Sequence, residues 1–216
     1  MNRYKAVLFD FDGTVMDTNK IILGSWDHLF NKMTGHPADR SKVVKTFGEI
    51  LRDTMLYMLP GRDPDECVMT YREYQMKIWD EPIHMFDGVD GMLRALKDAG
   101  ILLGLVTSRV WSSTKNGFYR FDCADLIDAI VSADDTHVHK PDPYPVQLCL
   151  EKLGVSKDEA LYVGDSRFDI LCGNNAGVDT CAVNWSICFP PEDRTGAQKP
   201  DFEIDSPADL LTLVCG

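Results

Sequence analysis

Four short stretches of this chain carry residues able to do chemistry together. The first is Asp10-Phe11-Asp12-Gly13-Thr14, two carboxylates two residues apart at the end of an apolar run. If the chain turns there, both reach one site: one attacks an electrophile while the other moves the proton on the leaving oxygen. The second is Thr107-Ser108, a hydroxyl and backbone amides suited to phosphate oxygens. The third is Lys140, in His139-Lys140-Pro141-Asp142-Pro143, a point charge able to hold a phosphate and offset a nucleophile's charge. The fourth is Gly164-Asp165-Ser166-Arg167-Phe168-Asp169, which adds carboxylates for a hard, oxygen-seeking cation such as Mg²⁺. A D-x-D-x-T string alone would arise by chance in about 4% of chains this long. All four stretches, in this order and expected at strand ends, form a far more specific signal.

Short apolar runs are the elements that must position the chemistry. Ala6-Val7-Leu8-Phe9, Leu102 to Val106, Ala129-Ile130-Val131, Leu161-Tyr162-Val163 and Cys181-Ala182-Val183 read as buried strands. Between them, Val89, Met92, Leu93 and Leu96 fall at the i, i+3, i+4, i+7 spacing of a helix, closed by Gly100. Tyr144 to Leu153 reads as a second helix ending at Gly154. Ser206-Pro207 starts a last one, with an N-cap serine before a proline. Strands alternating with helices predict an α/β fold with a Rossmann-like parallel sheet and helices on both faces. Ligands of such sheets sit beyond the carboxyl ends of the strands, where the four stretches lie. Residues 15–82 break the alternation and read as wholly helical. This predicts an inserted α-helical cap over a core made of residues 1–14 and 83–216. Residues 189–200, rich in proline and charge, read as a surface loop.

In these motifs the chain resembles the haloacid-dehalogenase superfamily of phosphatases: DFDGT at 10–14, VTS at 106–108, KPDPYP at 140–145 and GDSRFD at 164–169. The helical insert resembles the cap of the phosphoglycolate-phosphatase-like branch. VTS, KPDPYPV and Val183-Asn184-Trp185 are similar to bacterial cytosolic pyrophosphatases. The resemblance implies a Mg²⁺-dependent phosphatase acting on a small phosphorylated substrate, with Asp10 as nucleophile and metal ligand. It implies Asp12 as general acid/base with its carbonyl on the metal, Thr107, Ser108 and Lys140 as phosphate ligands, Asp165 as a metal ligand, and Asp169 as the residue that orients the metal's water shell. Phosphoglycolate, a sugar phosphate and pyrophosphate are the expected substrates. A phosphomutase of the β-phosphoglucomutase type uses the same residues, and a non-catalytic sensor of phosphometabolites is a further alternative.

In the cap, Gly48-Glu49-Ile50-Leu51-Arg52-Asp53 resembles the position of the family's substrate-specificity loop, with Glu49 where pyrophosphatase-like sequences carry proline or a small residue. Arg52 is read as a partner for a second anionic group or for a neighbouring acid, and Arg109 likewise. Arg167 reads as an exposed helix residue. Met55, Tyr57, Met58, Met69, Tyr71, Tyr74 and Trp79 are expected to pack the helical bundle. His137 and His139 form an H-x-H without a third soft ligand at a zinc-site spacing.

Composition narrows the partners. The chain is 216 residues long, 44% hydrophobic and 26% charged, as in globular proteins. Its formal net charge of −12 repels nucleic-acid backbones and anionic membranes, so neither is an expected partner. Seven cysteines without a C-x-x-C pair predict reduced thiols. No leader or membrane-spanning run is read, and the expectation is a cytoplasmic protein, monomer or homodimer.

Overall fold

The computed structural model describes residues 2–77, 84–118 and 124–216; Trp79 and Cys123 lie outside them. The chain opens with strand β1 (Ala6–Phe9), then a two-residue strand β2 (Met16–Asp17). Four helices follow: α1 (Asn19–Thr34), α2 (Arg40–Val44), α3 (Leu51–Met58) and α4 (Pro64–Lys77). Strand β3 (His84–Met85) leads to helix α5 (Val89–Asp98), β4 (Leu102–Val106), α6 (Trp111–Phe118) and β5 (Ala129–Val131). Helix α7 (Tyr144–Leu153), β6 (Ala160–Gly164), α8 (Arg167–Ala176), β7 (Asp179–Val183), β8 (Phe202–Ile204) and α9 (Pro207–Cys215) complete it.

Among the described residues, the main sheet has six strands in the order β5-β4-β1-β6-β7-β8, and every pairing is parallel. Its strands read as continuous apolar runs because both faces are covered. Side chains alternate between the faces. Val7, Phe9, Leu103, Leu105, Leu161 and Val163 meet Val89, Met92, Leu93 and Leu96 of α5 and Leu210 and Val214 of α9. Leu8, Val106 and Tyr162 meet Val146, Cys149 and Leu150 of α7 and Cys172 and Ala176 of α8 on the other side. The four α5 residues singled out by their spacing are all buried, at about 1.5–3 kcal/mol each. Chain order reverses at β1, between β4 and β6, so the crevice at its carboxyl end is the topological switch point.

Helices α1–α4 enclose a core of their own, with Trp26, Leu29, Val43, Met55, Cys67 and Tyr71 at its centre. Trp26 and Tyr71 pack edge to face at 5.6 Å. Tyr57 and Met69, expected inside, are 55% and 68% exposed. The segment expected to be wholly helical also contains β2, which pairs antiparallel with β3 where the chain leaves and re-enters the sheet domain. Two residues per strand are too few to show an alternating pattern. The expected surface loop at 189–200 is anchored: Phe189 is 4% and Arg194 6% exposed. Arg194 donates to the carbonyls of Phe189 (2.8 Å) and Val183 (3.2 Å) and to Glu203 (2.7 Å), so an apparently solvated charge is a pin. Cys67, Cys149, Cys172 and Cys181 are buried free thiols, Cys188 is half-buried and Cys215 exposed. No helix among the described residues is long and apolar enough to cross a membrane.

Candidate active site

Asp10 leaves β1 with its amide still in the sheet, donating to the Val163 carbonyl at 2.9 Å. The chain then turns through Gly13, whose φ of +77° is open to glycine. A Cβ there would lie 1.9 Å from Asp165 Oδ2, so only a bare backbone can cross that carboxylate. Thr107 ends β4 in the same way, its amide donating to Val131 O at 2.9 Å. Lys140 enters from the loop before α7, and its side chain is 1% exposed. Its ammonium donates to Asp10 Oδ1 at 2.7 Å and to Asp169 Oδ1 at 2.6 Å. Asp165 closes β6, and Ser166 caps α8.

Asp169 completes the capping box of α8: Ser166 N–H and Oγ donate to its Oδ2 at 3.0 and 2.6 Å. Its Oδ1 takes Lys140 and the Tyr162 hydroxyl, the latter at 3.0 Å. Both oxygens are thereby occupied, and Asp169 acts by holding Lys140 against Asp10. Asp165 has a different setting. The Ser186 hydroxyl and the Cys188 thiol (3.1 Å) both donate to Oδ2, and the thiol lies 2.9 Å from the Asp165 carbonyl. Neither Ser186 nor Cys188 nor Tyr162 was marked by sequence spacing. Their roles arise from the chain's path over β6, 21 residues beyond Asp165 for Ser186.

The electrostatics follow from burial. Burial pushes the Asp10 carboxyl well above its ordinary range; Lys140 opposes this, and the neighbouring carboxylates reinforce it. Burial and Asp169 push Asp165 up to about 7. Burial disfavours the Lys140 charge, but Asp10 and Asp169 outweigh it and hold the ammonium above its ordinary value. Carboxylate oxygens of Asp10, Asp165 and Asp169 lie within 4.8 Å of one another. Three buried carboxylates against one ammonium leave two formal negative charges, matching a divalent cation. With Lys140 on one oxygen of Asp10, and Ser186 and Cys188 on one of Asp165, the second oxygen of each can serve a hard cation. Among the described residues, this is the one group of acids, histidines and cysteines close enough to hold a metal; the H-x-H pair joins none.

A cavity of about 380 Å³ opens above Asp10 and Asp12, within the size range of small-ligand sites. Thr107, Ser108 and Arg109 line its floor, and Trp26, Glu49, Arg52, Tyr71 and Arg72 of the helical block line the roof. Arg109 NH1 donates to Asp12 Oδ1 at 2.8 Å. Arg52 pairs with Asp65 through two nitrogens, at 2.8 and 3.3 Å, on the exposed rim. Glu49 accepts from the Tyr57 hydroxyl, from Thr54 (3.3 Å) and from Arg167 (3.4 Å). Arg167, read from sequence as an exposed helix residue, therefore links α8 to the roof. Ser108 Oγ makes a second link, donating to Gly48 O at 2.7 Å. The structure thus gathers Asp10, Asp12, Thr107, Ser108, Arg109, Lys140, Asp165 and Asp169 at one crevice, with Glu49 and Arg52 on the opposite wall.

A Clostridium perfringens protein provisionally named pyrophosphatase PpaX is 37% identical over 210 residues, 97% of each chain. The pyrophosphatase PpaX of Bacillus cereus is 34% identical over 212 residues, covering 98% of this chain and 97% of that one. A crystal structure of a Lactobacillus plantarum protein, provisionally named phosphoglycolate phosphatase, superposes with a TM-score of 0.86 at 26% identity, covering 97% of this chain and 99% of the other. The model of the haloacid dehalogenase-like hydrolases matches residues 7–183, and this chain belongs to that family.

Proposed function

We propose that this chain is a Mg²⁺-dependent phosphatase that hydrolyses a small phosphorylated metabolite through an aspartyl-phosphate on Asp10. The observation that carries the reading is the buried Lys140, bonded to Asp10 beneath the cavity and fixed from behind by Asp169. A lysine so placed neutralises Asp10 enough for it to approach an anionic phosphoryl group. Asp10, the Asp12 carbonyl and Asp165 would hold Mg²⁺, which when bound neutralises charge on the phosphoryl oxygens. Thr107 Oγ and the Ser108 amide hold the phosphoryl group in line with Asp10. Asp10 forms the new bond to phosphorus as the bond to the leaving oxygen breaks, and Asp12 gives that oxygen its proton. In the second half, Asp12 takes a proton from the water that attacks the aspartyl-phosphate, which frees Asp10.

Residues 15–82 act in this reading as a cap on a core of 1–14 and 83–216, hinged at 15–19 and 81–88; of the second hinge, 81–83 lie outside the described residues. Cap closure excludes bulk water during attack. Pyrophosphate is favoured among the expected substrates by the pyrophosphatases at 34–37% identity over nearly the whole chain, with phosphoglycolate and sugar phosphates next. A cytoplasmic site of action belongs to the same reading. The test is phosphate release by wild type and Asp10→Asn from pyrophosphate, phosphoglycolate, sugar phosphates and nucleotides, with and without Mg²⁺. Turnover of one class, abolished in the variant and without metal, is expected. No release from any member refutes the reading, and bisphosphate-dependent conversion of β-glucose 1-phosphate to the 6-phosphate would replace it with a mutase.

A further inference from the structure

Arg109 stands between Asp12 and the cavity, with its charged side chain in reach of both. Its backbone is fixed: the amide donates to Thr107 Oγ1 at 3.2 Å, and the carbonyl accepts from the Ala133 amide at 2.9 Å. Its side chain lines the cavity and meets Asp12 Oδ1 through NH1 at 2.8 Å, with the two side chains only 15% and 21% exposed. The contact with Asp12 uses one nitrogen, unlike the two-nitrogen pair of Arg52 with Asp65. While NH1 sits on Oδ1, one of the two Asp12 oxygens already carries a charged donor, which competes with the leaving oxygen of a substrate for that carboxylate. A phosphate offers a guanidinium a denser charge than one carboxylate oxygen and can be gripped by two parallel hydrogen bonds. Arg72 of α4 lines the same cavity and adds to the positive side of this exchange.

We propose that Arg109 selects substrates by the charge of their leaving group: it holds Asp12 until an anionic leaving group binds, then passes to that anion and releases Asp12 Oδ1. The favoured class is the diphosphates, in which the departing fragment is itself a phosphate. This rests on the phosphatase reading above. In the step, an Asp10 oxygen bonds to the nearer phosphorus and the bond from that phosphorus to the bridging oxygen breaks. The bridging oxygen keeps the electron pair and takes the Asp12 proton, and orthophosphate leaves in contact with Arg109. Water then attacks the aspartyl-phosphate and returns a proton to Asp12. A phosphate ester with an uncharged alcohol as leaving group offers no second anion to compete with Asp12 for Arg109.

The experiment compares wild type, Arg109→Gln and Arg109→Lys in Mg²⁺. It reads kcat and KM on pyrophosphate and on glycerol 1-phosphate, and calorimetric affinity for the inert imidodiphosphate and for orthophosphate. Loss of one charge-assisted contact predicts about a ten- to hundred-fold loss of imidodiphosphate affinity in Arg109→Gln. The loss in kcat/KM on pyrophosphate should match it and fall mainly on KM. It should exceed the loss on glycerol 1-phosphate by at least about ten-fold. Arg109→Lys, which keeps the charge without the fork, should lie between, and it serves alone if the glutamine variant does not melt cooperatively. Equal losses on both substrates, or an unchanged imidodiphosphate affinity, overturn the proposal and leave Arg109 as a support for Asp12. A wild type that turns over neither substrate refutes the phosphatase reading itself. Unchanged imidodiphosphate binding in Arg109→Gln would then still count separately against Arg109.

Discussion

Replacing Lys140 with methionine tests the electrostatic centre of the molecule. The ammonium is 1% exposed and is shared by Asp10 Oδ1 and Asp169 Oδ1 at 2.7 and 2.6 Å. Methionine fills nearly the same volume, so the change removes charge and two hydrogen bonds without opening a large hole. Removing one partner from a buried ion pair costs about 3–5 kcal/mol, because the remaining charges stay buried without compensation. At about 2–4 °C per kcal/mol for a chain of this size, the melting temperature should fall by roughly 6–20 °C. The sign with pH is fixed by the direction of the Asp10 shift. Burial already holds that carboxyl above its ordinary range, and loss of Lys140 removes the positive charge that opposed it. A carboxyl with a raised pKa in the folded state costs most stability when ionised, so the deficit grows as pH rises and shrinks in acid. Calorimetric melts of metal-free protein at about pH 5 and pH 8 measure this directly. Lys140→Met/Asp169→Asn, which removes one stranded charge, should recover part of the loss, and excess Mg²⁺ should recover part in either variant. A Lys140→Met protein that melts within about 2 °C of wild type at pH 8 without metal would refute the argument.

Two other predictions concern neighbouring parts. Asp165 is pushed up to about 7 by burial and Asp169, so between the ordinary carboxylate range and about 7 the folded protein binds a proton that the unfolded chain does not. This group's contribution to metal-free stability therefore falls as pH rises through that window. Mg²⁺ should raise the melting temperature more at about pH 8 than at about pH 5.5, with proton uptake by the buffer on binding at the lower pH; equal shifts at both would sink the idea. Arg194→Met strands the carbonyls of Phe189 and Val183, at about 1–3 kcal/mol each. It should lower the urea midpoint accordingly while phosphate release well below the melting temperature is retained, and an unchanged midpoint would contradict the pin.

What sequence could reveal divides along physical lines. Strands β1 and β4–β7 were legible because strands buried on both faces must be apolar throughout, and α7 because Pro145 and the left-handed Gly154 bracket it. Strand β8 escaped because it is a three-residue edge strand, with Glu203 at its centre carrying the ion pair to Arg194. The chemistry-bearing residues at strand ends were legible as types in order. Their partners were not: Ser186 and Cys188 reach Asp165 only through the fold, and no local pattern distinguishes a serine that orients a carboxylate from one in a loop. The partner of Arg167 was hidden for a related reason. Its position in α8 was plain from sequence, but its partner Glu49 lies 118 residues earlier in the helical block.

The helical block and Asp10 are joined by one short path. Gly48 has a φ of +90°, and a Cβ there would lie 2.5 Å from Ser166 Oγ, so the roof loop lies against the N-cap of α8 only because that position is glycine. Ser166 donates twice to Asp169, Asp169 holds Lys140, and Lys140 holds Asp10. Ser108 ties the same roof loop to the end of β4 through Gly48 O. Movement of the roof therefore bears on the residues that set the charge around Asp10, as well as on access to the cavity. A rigid parallel sheet can place carboxylates at its strand ends, but it leaves them open to water. The helical block supplies the missing wall, and it does so by resting on Ser166, the cap residue that keeps Asp169, and through it Lys140, in place.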